Sequence, residues 1–372
     1  MPDESIPQFD TTAEVDLLWD DLNAAIQDVL HAGKFIMGEP VQALEAEIAD
    51  YLGVRHAVAL NSGTDALLIG LHALGIGAGD EVITPPFTFF ATSEVCNLLG
   101  ASAVFVDIDP ATFNIDTNLI AEKITARTKA LLPVHLFGNA ANMDAILAVA
   151  DAHGLYVLED AAQAFGADYR GRKLGTLGHI GALSFFPTKN LGAYGDGGML
   201  VTDDDRFAET ARMLRVHGAK KKYHNERLGY NSRLDTLQAA ILRVKLPHVD
   251  EWIERRRKAA AYYDERLANT PGLVTPVATP DASHTYNQYT VRILDGRRDE
   301  VRARLAAAGI HTMIYYPVPL HELPIYASAG WRFPHAERAA REVLSLPMWP
   351  YISPDQQQRV ASVLIETIAQ ES

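Results

Sequence analysis

Only one cysteine, Cys96, occurs in 372 residues, which excludes an intramolecular disulfide framework and fits a reducing, cytoplasmic setting. It lies in the apolar run 95–99 and reads as core, not nucleophile. No stretch reaches the ~18 apolar residues a membrane span requires, and the opening MPDESIPQFD is acidic, without the apolar centre of a secretion signal. Basic charge is short: 33 Lys and Arg stand against 47 Asp and Glu, a formal net charge of -14. Such a field repels nucleic acid and anionic membranes, so neither is expected as a partner. An anionic small substrate would need a local cluster of positive groups. Repeats and low-complexity tracts are absent, no metal is expected, and no G-x-G-x-x-G follows a strand. The nearest match, GIGAGD from Gly75, follows a helix and lacks the final glycine, which disfavours a nicotinamide cofactor.

What is present is a chain that is 48% hydrophobic, ample for a large core with two lobes. The spacing of Leu18, Leu22, Ile26 and Val29 predicts one amphipathic helix over 12–31, and a second follows over 40–52. After the strand at 57–60, the helix 65–74 is closed by Gly75. From Asp80 onward strands (81–84, 103–106, 130–134, 155–158) alternate with helices (91–99, 117–124, 143–153). This βαβα order with continuous apolar strands predicts an α/β fold: a mostly parallel sheet covered by helices on both faces. Ligands of such sheets gather at the carboxyl ends of the strands.

Three stretches at predicted strand ends carry chemistry. In NSGTDALL, Gly63 and Thr64 open a helix whose free amides and dipole form an anion site, although ordinary N-capping explains the same residues. In EDAAQAFG, Asp160 and Gln163 are three apart at the entry to a helical turn, so both can face one side of a bound ring; an N-cap aspartate is the plainer reading. In ALSFFPTKNLGAYGDGGMLVT, a corner crowded with Gly192, Gly195, Gly197 and Gly198 carries Lys189, which alone would be a solvated charge. Together they offer a phosphate site, a carboxylate and a lysine, the three things pyridoxal 5'-phosphate needs. The carboxylate keeps the pyridine nitrogen protonated, and the lysine holds the aldehyde as a Schiff base.

With these motifs, and with TPPFTFFAT, VDIDPATFNID, PVHLFG, GYNSRLDTLQAAIL, YYPVPLH and LSLPMWP, essentially the whole chain resembles the DegT/DnrJ/EryC1/StrS sugar aminotransferases of the aspartate-aminotransferase architecture (fold type I). The resemblance implies a PLP-dependent enzyme with Lys189 as the Schiff-base lysine, Asp160 at the pyridine nitrogen and Gln163 at the ring hydroxyl. It implies Ser184, Gly63 and Thr64 on the phosphate and Phe89 stacked on the ring. Asn231 would reach the phosphate of the neighbouring subunit, making a homodimer with shared active sites. Family members that remove a hydroxyl carry histidine at the lysine position, so Lys189 favours transamination.

The basic loop 217–232 is the family's segment that crosses to the partner, and Lys220 and Lys221 are candidates for a nucleotide diphosphate; in isolation each is a solvated loop lysine. A lobe boundary is expected near Asp250, giving a large domain over 1–250 and a small α/β domain over 251–372, with a strand over 285–293 and helices over 298–308 and 354–368. Tyr316 and His321, in a loop rich in aromatic residues and proline, are candidates for substrate contact, with a packed structural loop the alternative. The expected reaction moves an amino group from glutamate to a keto carbon of a nucleotide-linked sugar. EDAAQ followed by YGDGG resembles members acting at C3; those acting at C4 more often show histidine or glutamate at the Gln163 position, and GEGG. A cyclitol ketone and a non-catalytic regulatory role are the alternatives.

Overall fold

The computed structural model describes residues 5–369. Its centre is a seven-stranded sheet of β1 (His56–Leu60), β2 (Glu81–Thr84), β3 (Ser102–Phe105), β4 (Thr128–Leu131), β5 (Tyr156–Asp160), β6 (Ile180–Ser184) and β7 (Gly198–Thr202), in the order β1-β7-β6-β5-β4-β2-β3. Strands β6, β5, β4, β2 and β3 run parallel, whereas β7 is antiparallel to both β6 and β1. The reversal at β7 has a positional consequence. Gly198 begins β7 opposite both Ser184 and Leu60, so the end of β1, the start of β7 and the ends of β6 and β5 share one sheet edge.

Helices α1 (Thr12–Leu17), α2 (Trp19–Ala32), α3 (Glu39–Leu52), α4 (Gly63–Ala73), α5 (Ala91–Leu98), α6 (Met143–His153), α7 (Asp205–Leu214) and α8 (Thr236–Lys245) surround the sheet. One face of the sheet packs Leu67, Ile69 and Leu71 of α4, the other Val41, Leu44 and Ile48 of α3. Cys96 is buried core, its thiol pushed up to about 12 by burial.

Helix α9 (Val249–Leu267) leaves the large lobe. Its first turns bury Val249 and Ile253 against α3 and α8, and its later turns bury Ala260, Tyr263 and Leu267 in a second core. That core holds α10 (Arg298–Ala307), α12 (Pro354–Ala369) and an antiparallel sheet of β8 (Leu273–Val274), β9 (Tyr289–Ile293) and β10 (Val343–Leu346). Helix α9 therefore spans both cores. The N-terminal segment departs from the expected assignment to the large lobe: Ile6 is buried in the small-lobe core and exchanges backbone hydrogen bonds with Gly309 and His311. Helix α11 (Pro334–Glu342) is tied back to the large lobe by Asp107, whose carboxylate accepts the amides of His335 (3.0 Å) and Ala336 (2.9 Å). Among the described residues no helix is long and apolar enough to cross a membrane.

Three sequence expectations differ locally. The helix over 12–31 is two helices, broken at Leu18, because α1 turns Glu14 onto the buried Lys245 ammonium (2.5 Å) while α2 lays Leu22 beside Ile241 and Trp252. The helix over 117–124 is two 3₁₀ turns, Thr117–Leu119 and Ala121–Lys123; Ile120 is buried and Leu119 and Ile124 are only partly covered, too little apolar burial to hold an α-helix. The strand over 285–293 begins at Tyr289, because the Thr285 amide is drawn to the Gly138 carbonyl of the large lobe (3.0 Å).

Candidate active site

The shared sheet edge receives the start of α4. Ser62 caps the helix, its Oγ accepting the Asp65 amide (3.1 Å), which leaves the Gly63 and Thr64 amides as first-turn donors at the positive end of the helix dipole. The approach is close enough to require glycine twice. A Cβ on Gly63 would lie 2.8 Å from Ser184 Cβ, and one on Gly198 would lie 2.2 Å from the Ser62 carbonyl. Ser184 Oγ accepts the Phe186 amide (3.3 Å), so its own hydrogen remains to be donated.

Asp160 ends β5, is 5% exposed and has two donors: Thr92 Oγ1 on Oδ2 (2.9 Å) and the Ala162 amide on Oδ1 (3.2 Å). Burial drives its pKa above the ordinary carboxylate value; the two donors and nearby Lys189 pull the other way without cancelling it. Its neighbour Glu159 points to the opposite face of the strand and is saturated. Its oxygens accept from His135 Nε2 (2.8 Å) and the amides of Gly175 (2.9 Å), Leu177 (2.7 Å) and Gly178 (2.6 Å). Burial alone would raise the pKa of Glu159, but these donors outweigh it and hold the group below its ordinary value. The Ala141 amide donates to His135 Nδ1 (3.1 Å), which fixes Nε2 as the nitrogen that donates.

Lys189 lies in the corner between β6 and β7, which is held by bonds from Lys189 N to Phe186 O (2.9 Å), Phe185 N to Gly197 O (2.8 Å) and Ala193 N to Phe185 O (2.8 Å). The residue as a whole is half-buried, but its ammonium is crowded enough that desolvation lowers its pKa from 10.5 to about 8, with the attraction of Asp160 opposing.

Gln163 is 8% exposed and fully oriented: Oε1 accepts the Phe137 amide (2.6 Å), and Nε2 donates to Tyr316 Oη (3.0 Å). Tyr316 meets Phe87 edge-on (centroids 6.2 Å apart) and Phe89 at a tilt (6.3 Å). Phe89 is 58% exposed, unusual for its type and in keeping with a ring that stacks on a ligand.

The sequence-derived residues thus form a contiguous set from Gly63 and Ser184 through Lys189 and Asp160 to Gln163, Tyr316 and Phe89. Thr92 was not singled out by the sequence. Its signal was its place in TPPFTFFAT, where only the aromatic slot drew attention. His321 is 2% exposed and faces Glu337 (3.4 Å) and Phe333 beneath α11, the arrangement of the packed-loop alternative. Glu337 in turn is occupied by Arg332 (2.9 Å) and the Phe333 amide (3.0 Å). Lys220 and Lys221 are exposed on a ribbon of Ala219–Lys221 and His224–Asn225, with Lys220 paired to Glu209 (2.7 Å). Asn231 is exposed, its Oδ1 accepting from Arg233, while adjacent Ser232 donates to Asn61 Oδ1 (3.0 Å) and ties the strip to the end of β1.

A desolvated lysine, a buried carboxylate and a helix start with free amides thus meet on one edge of the sheet, and the comparisons give the class: an aminotransferase of fold type I. The match is specific: residues 18–365 fit the model of the DegT/DnrJ/EryC1/StrS aminotransferase family, to which the chain belongs. It is 50% identical to the "Pleiotropic regulatory protein" of Geobacillus stearothermophilus over 97% of this chain and 98% of that one. It is 46% identical to the dTDP-3-amino-3,4,6-trideoxy-alpha-D-glucose transaminase of Streptomyces venezuelae, covering 97% of this chain and 96% of the relative. The crystal structure of S. venezuelae DesV in complex with a ketimine intermediate superposes with a TM-score of 0.97 at 45% identity, covering 100% of both chains.

The electrostatics of Lys189 give a direct test. In cofactor-free protein, acylation of Lys189 by an amine reagent, followed by peptide mass spectrometry, should rise with pH to a midpoint near 8, because only the neutral amine reacts. A midpoint at or above 10.5, the ordinary lysine value, would show that the site does not desolvate the group.

Proposed function

We propose that this chain is a PLP-dependent aminotransferase that moves an amino group from glutamate to the C3 keto carbon of a nucleotide-linked sugar, in amino-sugar biosynthesis. The observation that carries the reading is the Asp160–Lys189 pair, a carboxylate pushed up and an amine pushed down by the same desolvated site. The residues fit the cofactor. The Gly63 and Thr64 amides and Ser184 Oγ would hold its phosphate, and Asp160 would take its pyridine nitrogen. Phe89 would cover the ring, the second N–H of Gln163 would meet the ring hydroxyl, and Lys189 would bind it covalently.

When bound, PLP supplies an aldehyde that captures amines reversibly and a ring that accepts electrons. The rest falls to the protein. Lys189 Nζ takes the proton from Cα of the amino donor and returns it in the reverse sense, work suited to an amine with a pKa near neutrality. Burial disfavours the charged form of Asp160, so a positive group against it would be stabilised, and Asp160 would favour the protonated form of the ring nitrogen. Thr92 and the Ala162 amide orient that carboxylate.

The C3 assignment draws on Gln163 and the YGDGG segment, and on the S. venezuelae relative, which is named for a 3-amino sugar. A regulatory role has the name of the G. stearothermophilus relative in its favour; the intact Lys189 and Asp160, both desolvated, argue against a non-catalytic one. We place the enzyme in the cytoplasm on its single buried cysteine. We also propose a homodimer in which Asn231 completes the partner's phosphate site, with Lys220 and Lys221 adding positive charge near a nucleotide diphosphate.

The purified protein should be yellow, borohydride should fix the cofactor on Lys189, and Lys189→Ala should fold but lose turnover. With glutamate and a panel of dTDP-, UDP- and GDP-linked keto sugars, NMR should find the new amine at C3. Trapping on another lysine would overturn the chemistry, and amination of 4-keto sugars alone would overturn the position.

An amide donor on a phosphate contributes about 1.5–3 kcal/mol, so Asn231→Ala should weaken cofactor retention roughly tenfold to a hundredfold. Mixing Lys189→Ala with Asn231→Asp protein should restore activity, since one site of each heterodimer carries both native residues. Confirmed subunit exchange without activity would place both residues in the same subunit's site.

A further inference from the structure

The hydrogen-bond bookkeeping around Gln163 assigns a direction to the Tyr316 hydroxyl. Gln163 Oε1 accepts the Phe137 amide, and a backbone N–H can only donate, so the side-chain amide has one allowed orientation. Its Nε2 therefore donates to Tyr316 Oη, and the phenol oxygen is the acceptor in that bond. The Tyr316 hydrogen is left over, and among the described residues nothing accepts it. Burial, with the Asp160 charge adding to it, raises the pKa of the phenol, so the hydrogen stays in place at working pH. Phe87 and Phe89 flank the ring and fix where the hydroxyl sits.

This donor does not serve the same atom as Gln163. The two N–H bonds of an amide nitrogen diverge by about 120°. An oxygen bound by the second N–H of Gln163 therefore lies about 5 Å from Tyr316 Oη, beyond hydrogen-bond reach. If that N–H takes the ring hydroxyl of the cofactor, as proposed above, Tyr316 donates to a second oxygen on the substrate side.

We propose that Tyr316 is a one-way hydrogen-bond donor that binds an oxygen acceptor on the carbon next to the reacting carbon of the substrate. Two substrates of the proposed reaction offer that chemistry: the α-carboxylate of the amino donor, and a hydroxyl or carbonyl oxygen beside the keto carbon of the sugar. The inference rests on the transaminase reading and gives Tyr316 a role that no sealed packing residue has. The same loop also holds His321, which is sealed.

The test is Tyr316→Phe, which keeps the ring against Phe87 and Phe89 and removes only the hydroxyl. Three quantities are read on PLP-loaded protein: cofactor affinity by dialysis and absorbance, calorimetric binding of 2-methylglutamate, which lacks an α-hydrogen, and calorimetric binding of the amino-sugar nucleotide product. The expected result is unchanged cofactor affinity and about tenfold weaker binding of one of the two ligands, the loss of one hydrogen bond to a polar or charged acceptor. The ligand that weakens identifies the source of the oxygen. Unchanged binding of both ligands overturns the proposal, and so does an equal loss of cofactor affinity, which would make Tyr316 part of the cofactor floor. Wild-type protein that fails to bind PLP at all would instead refute the transaminase reading, and this inference with it.

Discussion

Everything at this site depends on a carboxylate placed where water cannot reach it. Among the described residues Asp160 has two hydrogen-bond donors and no ion pair, and burial pushes it toward its neutral form. The contrast with the next residue along the strand is informative. Alternate residues of β5 face opposite sides of the sheet, so Glu159 and Asp160 share a backbone but not an environment. Glu159 receives four donors and is held ionised, an internally closed structural group. Asp160 is left electrostatically incomplete, which is wasteful in a structural residue and suits the role proposed for it beside a cationic ring nitrogen.

The fold serves that incompleteness. Reversing β7 brings the start of α4 beside the ends of β5 and β6, and two glycines allow helix and strands to approach within van der Waals contact. The result is a helix start, an acid and a lysine on one edge, supplied by the turn into α4, the end of β5 and the β6–β7 corner. The chain beyond α9 contributes Tyr316, which accepts from Gln163 and packs against the core beneath α4, and α11, capped by Asp107. Placement of the lobes is thus coupled to the site by polar groups at its margin.

Much of this was legible in the sequence, for identifiable reasons. The buried parallel strands are continuous apolar runs, and the functional motifs lie where those runs stop, so sheet and site could be read together. What was not legible depended on partners distant in the chain. Gln163 and Tyr316 are 153 residues apart. Thr92 looked like one more small residue in a helix start until β5 was placed against it. For His321 the sequence left substrate contact and a packed loop both open, and the residues that cover it, Phe333 and Glu337, come later in the chain. The break between α1 and α2 follows from Glu14 reaching Lys245, a pairing invisible to helical periodicity.

The central claim is that Asp160 holds a protonated pyridine ring, and it is most directly tested by nitrogen NMR on protein loaded with PLP labelled at the ring nitrogen. The account requires the shift of a protonated pyridine in the wild type at neutral pH, and of an unprotonated one in Asp160→Asn, with the cofactor still bound in both. An unprotonated nitrogen in the wild type, or the same shift in both proteins, would contradict it.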